Sequence, residues 1–197
     1  MAQNLKNRAV RLLIIGGSAG SLEVILALLP QLRAGLNLAI IIVIHRKYSN
    51  DSSLTTLLAG KTQLKVKEAD DKDDILPGWI YLAPADYHLL VEANHTLSLD
   101  YSEKVNYSRP SIDVTFQTAA EVYGQALSCL LLSGASADGA AGLLEVRKKG
   151  GLIAVQDPAC AEVSYMPLKA IEKSRPDYIL EIPEMANFIN SLGEQSA

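Results

Sequence analysis

The stretch that decides the fold is Val10-Arg-Leu-Leu-Ile-Ile15, followed by Gly16-Gly-Ser-Ala-Gly20. A short apolar run that ends at turn residues predicts a buried strand, and residues 22–32 after the turn have the spacing of a helix. A strand, a tight turn and a helix in this order are the first unit of a parallel α/β sheet. Ser18 lies in the turn itself.

The same alternation continues along the chain. Short runs rich in Ile, Leu and Val predict further buried strands at residues 39–44, 126–132, 152–155 and 178–182. Segments of helical period between them predict helices at residues 53–58, 112–123, 140–149, 168–173 and 184–192. Ser111 is the predicted N-cap of the third helix. We therefore expect a three-layer α/β/α, doubly wound fold with a mainly parallel sheet.

One region departs from the alternation. Residues 79–83, 87–92 and 96–100 have the pattern of short strands joined by turn residues, which predicts a small antiparallel insertion. The length of 197 residues suits one compact domain with a real core, so we assign residues 1–197 to a single domain. About ten residues precede the first strand, which is too few for a second domain.

Composition excludes several classes of function. The apolar share is 49% and the net charge is −4, so binding to nucleic acid or to an anionic membrane is disfavoured. The longest apolar runs have about half the length of a membrane-spanning helix, and the N-terminus lacks a secretory signal. Cys129 and Cys160 are too far apart for a disulfide framework, which favours the cytoplasm. The acidic run at residues 70–74 lacks the pattern of a calcium loop, so no metal is predicted.

Three residues with catalytic chemistry follow predicted strands. In parallel sheets, ligands bind beyond the carboxyl ends of the strands, and Ser18, His45 and Asp138 all lie there. Ser18, with small neighbours on a strand-to-helix turn, has the setting of a nucleophile. His45 would act as its general base, and Asp138 would orient the imidazole.

Each residue also has a simpler interpretation. The glycine turn could cradle a phosphate or allow tight packing. His45 could cap a strand end, and His88 and His95 are rival bases in the predicted insertion. Asp138 could be a helix N-cap carboxylate, favoured there by the helix dipole.

Several ordered blocks resemble one family, the catalytic domain of the chemotaxis receptor methylesterases (the CheB family). The blocks are residues 13–18, Val43-Ile-His45, residues 132–142, residues 76–84 with Asp86 and His88, Arg109-Pro-Ser-Ile-Asp113-Val, and Met166-Pro167. The resemblance implies a Ser18, His45 and Asp138 triad, with Gly17, Ala19 and Ala135 supporting the turn and the oxyanion. It implies hydrolysis of glutamyl methyl esters on the cytoplasmic part of methyl-accepting chemoreceptors, with deamidation of receptor glutamines as a related activity. No cofactor or metal is implied.

The chain departs from the family pattern around this site. Ala19 stands where threonine is common, Ser21 replaces a glycine, and Ala135 replaces a methionine. Tyr107-Ser108 replaces a basic pair. These changes leave the triad intact and alter the expected substrate contacts.

Two other functions remain open at this point. A nucleotide-binding domain would use residues 16–20, although the chain lacks a complete dinucleotide fingerprint and the lysine of a P-loop. A non-catalytic adaptor would keep the fold and bind receptors or signalling partners. We also expect no receiver domain, so that control comes from a separate regulatory protein or is missing.

Overall fold

A computed structural model describes residues 9–46 and 53–193, which form nine strands and six α-helices within these ranges. The strands are β1 (Leu12–Gly17), β2 (Ala39–Ile44), β3 (Lys65–Glu68), β4 (Trp79–Leu82), β5 (His88–Val91), β6 (Leu97–Asp100), β7 (Leu127–Leu131), β8 (Leu152–Gln156) and β9 (Tyr178–Leu180). The helices are α1 (Ser21–Leu28), α2 (Ser53–Ala59), α3 (Ile112–Tyr123), α4 (Ala140–Lys148), α5 (Tyr165–Ser174) and α6 (Ile182–Leu192).

Seven strands form one parallel sheet in the order β3-β4-β2-β1-β7-β8-β9. β2, β4 and β3 lie on one side of β1, and β7, β8 and β9, which come later in the chain, lie on the other side. The strand order therefore reverses at β1, which is the place where open α/β sheets bind their ligands. β5 and β6 form a separate antiparallel pair. The predicted doubly wound α/β/α fold is confirmed.

Two apolar layers cover the sheet because successive side chains of a strand point to opposite faces. In β1, Leu13 and Ile15 belong to the cluster that contains residues of α1, α2 and α6. Leu12 and Ile14 belong to the opposite cluster, with residues of α3, α4 and α5. All six residues of β1 are buried, as a central parallel strand requires. Within the described ranges, no helix has the length and apolar character that crossing a membrane would need.

The predicted antiparallel insertion is wrong in one part. Its first strand, β4, pairs in parallel with β2 and with β3, so it belongs to the main sheet. The error arose because the segment between β3 and β4 forms no helix in the structure, so the strand–helix alternation is interrupted there. The sequence pattern does not predict β3, because this edge strand has the polar sequence Lys-Val-Lys-Glu.

Candidate active site

Ser18, His45 and Asp138 converge because the strands that precede them are neighbours. The parallel register sets the last residues of β1 and β2 opposite each other, so Ser18 and His45 leave the sheet side by side. The N–H of His45 donates to the carbonyl of Gly17 at 3.2 Å. On the other side of β1, the loop after β7 leads to Asp138. The N–H of Ser18 donates to the carbonyl of Ser133 in that loop at 2.9 Å.

His45 and Asp138 form a direct side-chain pair. Nε2 of His45 lies 2.8 Å from Oδ2 of Asp138, whose side chain is fully buried. An ionised carboxylate only accepts hydrogen bonds, so Nε2 carries the hydrogen of this contact. Nδ1 is then the basic ring nitrogen of the neutral imidazole.

Asp138 accepts an unusually large number of hydrogen bonds. Besides His45, its donors are the amide of Asn106, the hydroxyl of Ser111 and the backbone N–H groups of Ile112, Asp113 and Gly139, at 2.7–3.2 Å. Burial opposes ionisation of Asp138, but the hydrogen bonds from His45, from backbone N–H groups and from Ser111 outweigh it and hold its pKa below the ordinary value. The carboxylate is therefore ionised and immobile at neutral pH.

Asp138 also caps a helix, although not the helix that follows it. Ile112 and Asp113 are the first residues of α3, and their N–H groups point at the Asp138 carboxylate. Ser111 stands at the N-cap position of α3 as predicted, but its hydroxyl donates to Asp138 at 2.8 Å instead of capping the helix. Asp138 thus does for α3 what a capping side chain would do.

A second buried carboxylate, Asp113, lies beside Asp138. It accepts the N–H of Gly142 at 2.6 Å and the amide of Asn106 at 2.8 Å. Burial raises the pKa of Asp113, and the negative charge of Asp138 adds to the effect. The amide of Asn106 donates to both carboxylates and so reduces their repulsion. No sequence pattern indicated this role, because Asn106 lies in an irregular exposed loop.

The turn that holds Ser18 is fixed from both sides. The hydroxyl of Ser21 donates to the carbonyl of Ser18 at 2.6 Å, and the hydroxyl of Ser133 donates to the carbonyl of Ala19 at 2.7 Å. Gly134 approaches the turn so closely that a Cβ added there would lie 2.9 Å from Cβ of Ser18 and 2.6 Å from the Met166 methyl group. A larger residue there would force Met166 or the turn of Ser18 to shift.

The three residues predicted to support the site occupy different surroundings. Gly17 ends β1 and is buried, and its carbonyl accepts the His45 N–H. Ala19 and Ala135 are exposed. In residues 9–46 and 53–193, neither the Ala19 nor the Ala135 N–H donates to a protein acceptor. These two N–H groups remain available to a ligand.

A second serine lies near His45, and the sequence did not single it out as a nucleophile. The hydroxyl of Ser108 lies 3.4 Å from Nδ1 of His45. The described contacts contain no hydrogen bond of the Ser18 hydroxyl. Ser108 belongs to the exposed loop that carries Asn106, and it replaces one of the basic residues of the family pattern.

The rival histidines have structural roles. His88 is buried, and its ring contacts the carbonyl of Glu103 and the N–H of Ser111. His95 lies at the turn between β5 and β6, and its ring contacts the edge of Tyr123. In the part of the chain that the structure describes, no group of three or more His, Cys, Asp or Glu side chains could hold a metal ion.

Comparisons with known proteins agree on one family. The family model described as CheB methylesterase matches residues 13–189. A Leptospira interrogans protein, provisionally named protein-glutamate methylesterase/protein-glutamine glutaminase, is 41% identical over 93% of this chain and 95% of its own length. The Thermotoga maritima protein of that name is 33% identical, and the match covers 88% of this chain and 52% of that protein. The crystal structure of the Thermotoga maritima CheB methylesterase catalytic domain superposes with a TM-score of 0.88 at 32% identity, over 93% of this chain and 98% of that one.

Proposed function

This chain belongs to the CheB methylesterase family, and from that membership we propose that it hydrolyses glutamyl methyl esters on a protein substrate through Ser18, His45 and Asp138. The observation that carries the proposal is the 2.8 Å pair of His45 with the buried Asp138, one strand away from the turn of Ser18. A histidine held by a buried carboxylate beside a serine on a tight turn is the arrangement that acyl transfer requires.

The reaction follows from the roles of the ring nitrogens. Oγ of Ser18 attacks the ester carbonyl carbon while Nδ1 of His45 takes the hydroxyl proton. The tetrahedral intermediate collapses, the proton passes from Nδ1 to the methoxy oxygen, and methanol leaves. Water then attacks the acyl-enzyme with the same base, which returns a glutamate carboxylate and free Ser18. A glutamine side chain would follow the same steps with ammonia as the leaving group.

The oxyanion of the intermediate needs donors that other contacts do not already use. The N–H groups of Ala19 and Ala135 have no described protein acceptor, and both are accessible from solvent. Their roles do not depend on a side chain, so the alanines that replace threonine and methionine can still stabilise charge. Gly17 supports the turn by holding the His45 backbone.

Ser18 is favoured over Ser108 as the nucleophile for two reasons. Ser18 lies next to N–H groups free to receive an oxyanion and precedes the N-terminus of α1. Ser108 lies on an exposed loop, and its other contact is a 3.5 Å hydrogen bond to the carbonyl of Asn106. The lack of a described hydrogen bond between Ser18 and Nδ1 does not argue against this role, since catalytic hydrogen bonds often tighten only when substrate binds.

The substrate that the family implies is the cytoplasmic domain of a methyl-accepting chemotaxis receptor, which would place the enzyme in the cytoplasm. A separate protein that regulates the enzyme is a second expected partner. A nucleotide-binding domain, the non-enzymatic interpretation of the glycine turn, is not what the comparisons find. The hypothesis of a non-catalytic adaptor is tested by measuring methanol release, which an adaptor would not produce.

The deciding experiment compares Ser18→Ala with Ser108→Ala. We expect a fluorophosphonate probe to label the wild type and Ser108→Ala, and not Ser18→Ala. Methanol release from a methylated receptor fragment should follow the same pattern. Labelling that persists in Ser18→Ala and disappears in Ser108→Ala would show that Ser108 is the nucleophile. A wild type that neither reacts with the probe nor releases methanol would support the adaptor.

A further inference from the structure

A cleft of about 380 Å³ opens beside His45, and positive charge predominates in its lining. The lining residues are His45, Arg46, Asp86, Lys104, Tyr107, Ser108 and Arg109. Three of these side chains are cationic and one is a carboxylate, in a chain whose net charge is −4. The cleft is therefore a local exception to the charge of the protein, which is the pattern of a site that attracts anions.

Arg109 uses four of its five N–H donors within the protein. Its Nε and Nη2 donate to Asp86 at 3.2 and 2.9 Å, and its Nη1 donates to the carbonyls of Tyr101 and Ser102. The guanidinium also lies over the Tyr101 ring, 3.9 Å from its centre. This arginine holds the loop in place and has little capacity left for a ligand.

Arg46 is different, although it lines the same cleft. Its Nη2 donates to Glu68 at 2.8 Å and to the Ala83 carbonyl at 3.4 Å. In the described ranges, Nε is buried without a hydrogen-bond partner, and Nη1 has no protein acceptor either. A guanidinium offers five N–H donors, so three of those of Arg46 remain unused. Because Nε is buried, the N–H groups of Nη1 are the donors that a carboxylate in the cleft could engage.

Lys104 supplies a second cation, whereas Arg46 is paired with Glu68 through Nη2 alone. It lies on the exposed loop that also carries Tyr107, whose side chain is 98% exposed. No described carboxylate lies within ion-pair distance of Lys104. Arg46 comes from the end of β2 and Lys104 from this loop, so the two cations reach the cleft from different elements.

We propose that Arg46 and Lys104 form a subsite for a substrate carboxylate that lies beside the reacting ester, so that the preferred substrate is an acidic peptide segment. This inference rests on the proposed esterase function. The reacting methyl ester is neutral and has no need of two cations, whereas a neighbouring glutamate or aspartate side chain matches them in charge. Arginine suits the role because its planar N–H groups fit a carboxylate.

The test uses two methylated peptides that differ in one neighbouring residue, glutamate in one and glutamine in the other. The measured quantity is the ratio of kcat/KM for the glutamate peptide to that for the glutamine peptide. For the wild type we expect a ratio of about five at low salt, falling toward one as salt screens the partly exposed charges. In Arg46→Gln and Lys104→Gln the ratio should fall toward one, and Arg46→Lys should keep part of it.

The matched control is Lys61→Gln, which removes an exposed lysine outside the cleft and should leave the ratio unchanged. Thermal melts of each variant establish that it is folded. A wild-type ratio of one with rapid hydrolysis of both peptides would overturn the subsite while leaving the esterase in place. So would a ratio that Arg46→Gln and Lys104→Gln leave unaltered. Hydrolysis of neither peptide by the wild type would overturn both the esterase and the subsite.

Discussion

Replacing Asp138 with asparagine should almost abolish activity while leaving a folded protein. The new amide group must face hydrogen-bond donors in either orientation, because both carboxylate oxygens of Asp138 accept several hydrogen bonds. The less damaging orientation puts NH₂ in the place of Oδ2, opposite Nε2 of His45 and the N–H of Ile112. His45 can then move its hydrogen to Nδ1 and accept with Nε2, so the Ile112 N–H is the one donor left unsatisfied.

The size of both effects follows from that rearrangement. One buried hydrogen bond to a charged group contributes about 1.5–3 kcal/mol, which lowers Tm by about 3–12 °C in a domain of this size. The loss of activity is larger, because a protonated Nδ1 cannot accept the proton of Ser18. An asparagine that fixes the wrong histidine tautomer lowers kcat about 10⁴-fold in serine hydrolases.

Asp113→Asn is the matched control. Asp113 is also a buried carboxylate beside Asp138, but the described hydrogen bonds of its side chain come from Gly142 and Asn106, and none comes from His45. Asparagine still accepts the Gly142 N–H and removes a like charge, but its NH₂ loses the hydrogen bond from the Asn106 amide, which lies on an exposed loop. Because these effects oppose each other, we expect kcat within about tenfold of the wild type and a stability change of about 1 kcal/mol or less. The assays are methanol release and thermal unfolding monitored by circular dichroism. The reasoning fails if Asp138→Asn keeps a tenth of the activity, or if Asp113→Asn loses as much as Asp138→Asn.

Three further predictions concern the same site. First, the pKa of Asp138 is lowered in the folded state, so the stability that Asp138 contributes is complete above its unfolded pKa of about 3.9 and is lost as pH falls through the folded value. When Tm is measured from pH 7 to pH 2, the fall of Tm with decreasing pH should therefore be smaller in Asp138→Asn than in the wild type. Second, Gly134→Ala should lower kcat by at least about tenfold, because its Cβ would lie 2.9 Å from Cβ of Ser18 and displace the nucleophile. Gly35→Ala, with nothing within 4 Å of the added Cβ, should have wild-type kinetics; equal kinetics in the two variants would contradict this. Third, Ser111→Ala removes a buried donor to Asp138 and should lower the free energy of unfolding by about 1–2 kcal/mol in urea titrations, with kcat reduced less than in Asp138→Asn; an unchanged midpoint would show that the hydrogen bond contributes nothing.

The central strands could be predicted because they are buried on both faces. β1 and β2 are apolar runs, and β7 is apolar apart from Ser128. Runs of this kind that end at glycine, histidine or serine are typical of strands in the middle of a parallel sheet. The edge strand β3 has one face and one edge toward solvent, so it contains lysines and a glutamate and lacks the apolar pattern that predicts a strand. β4 has an apolar sequence and is predicted as a strand, but its parallel pairing could not be predicted because the sequence pattern does not indicate β3.

The candidate site divides in the same way. Ser18, His45 and Asp138 could be singled out because each follows a strand end, and parallel strands bring their ends to one edge. Asn106 and Ser108 reach His45 and Asp138 from an irregular loop, and no periodicity predicts where such a loop folds back. His45 and Asp138 are 93 positions apart in the sequence, so their pairing depends on the order of the strands in the sheet.

The many contacts of Asp138 alter how an intact triad should be weighed against the adaptor hypothesis. An aspartate that caps α3 and also accepts hydrogen bonds from His45 and from the Asn106 loop would be needed for folding even in a protein without activity. Its presence therefore supports catalysis less than a triad member normally would. The stronger support comes from Ser18 and His45. The Ser18 hydroxyl has no described hydrogen bond, and the His45 ring is 13% exposed with Nδ1 turned away from its carboxylate partner. No described contact requires a serine at position 18, and the hydrogen bond of His45 to Asp138 uses Nε2 and leaves Nδ1 for a reacting partner. The chemistry of acyl transfer therefore accounts for both side chains.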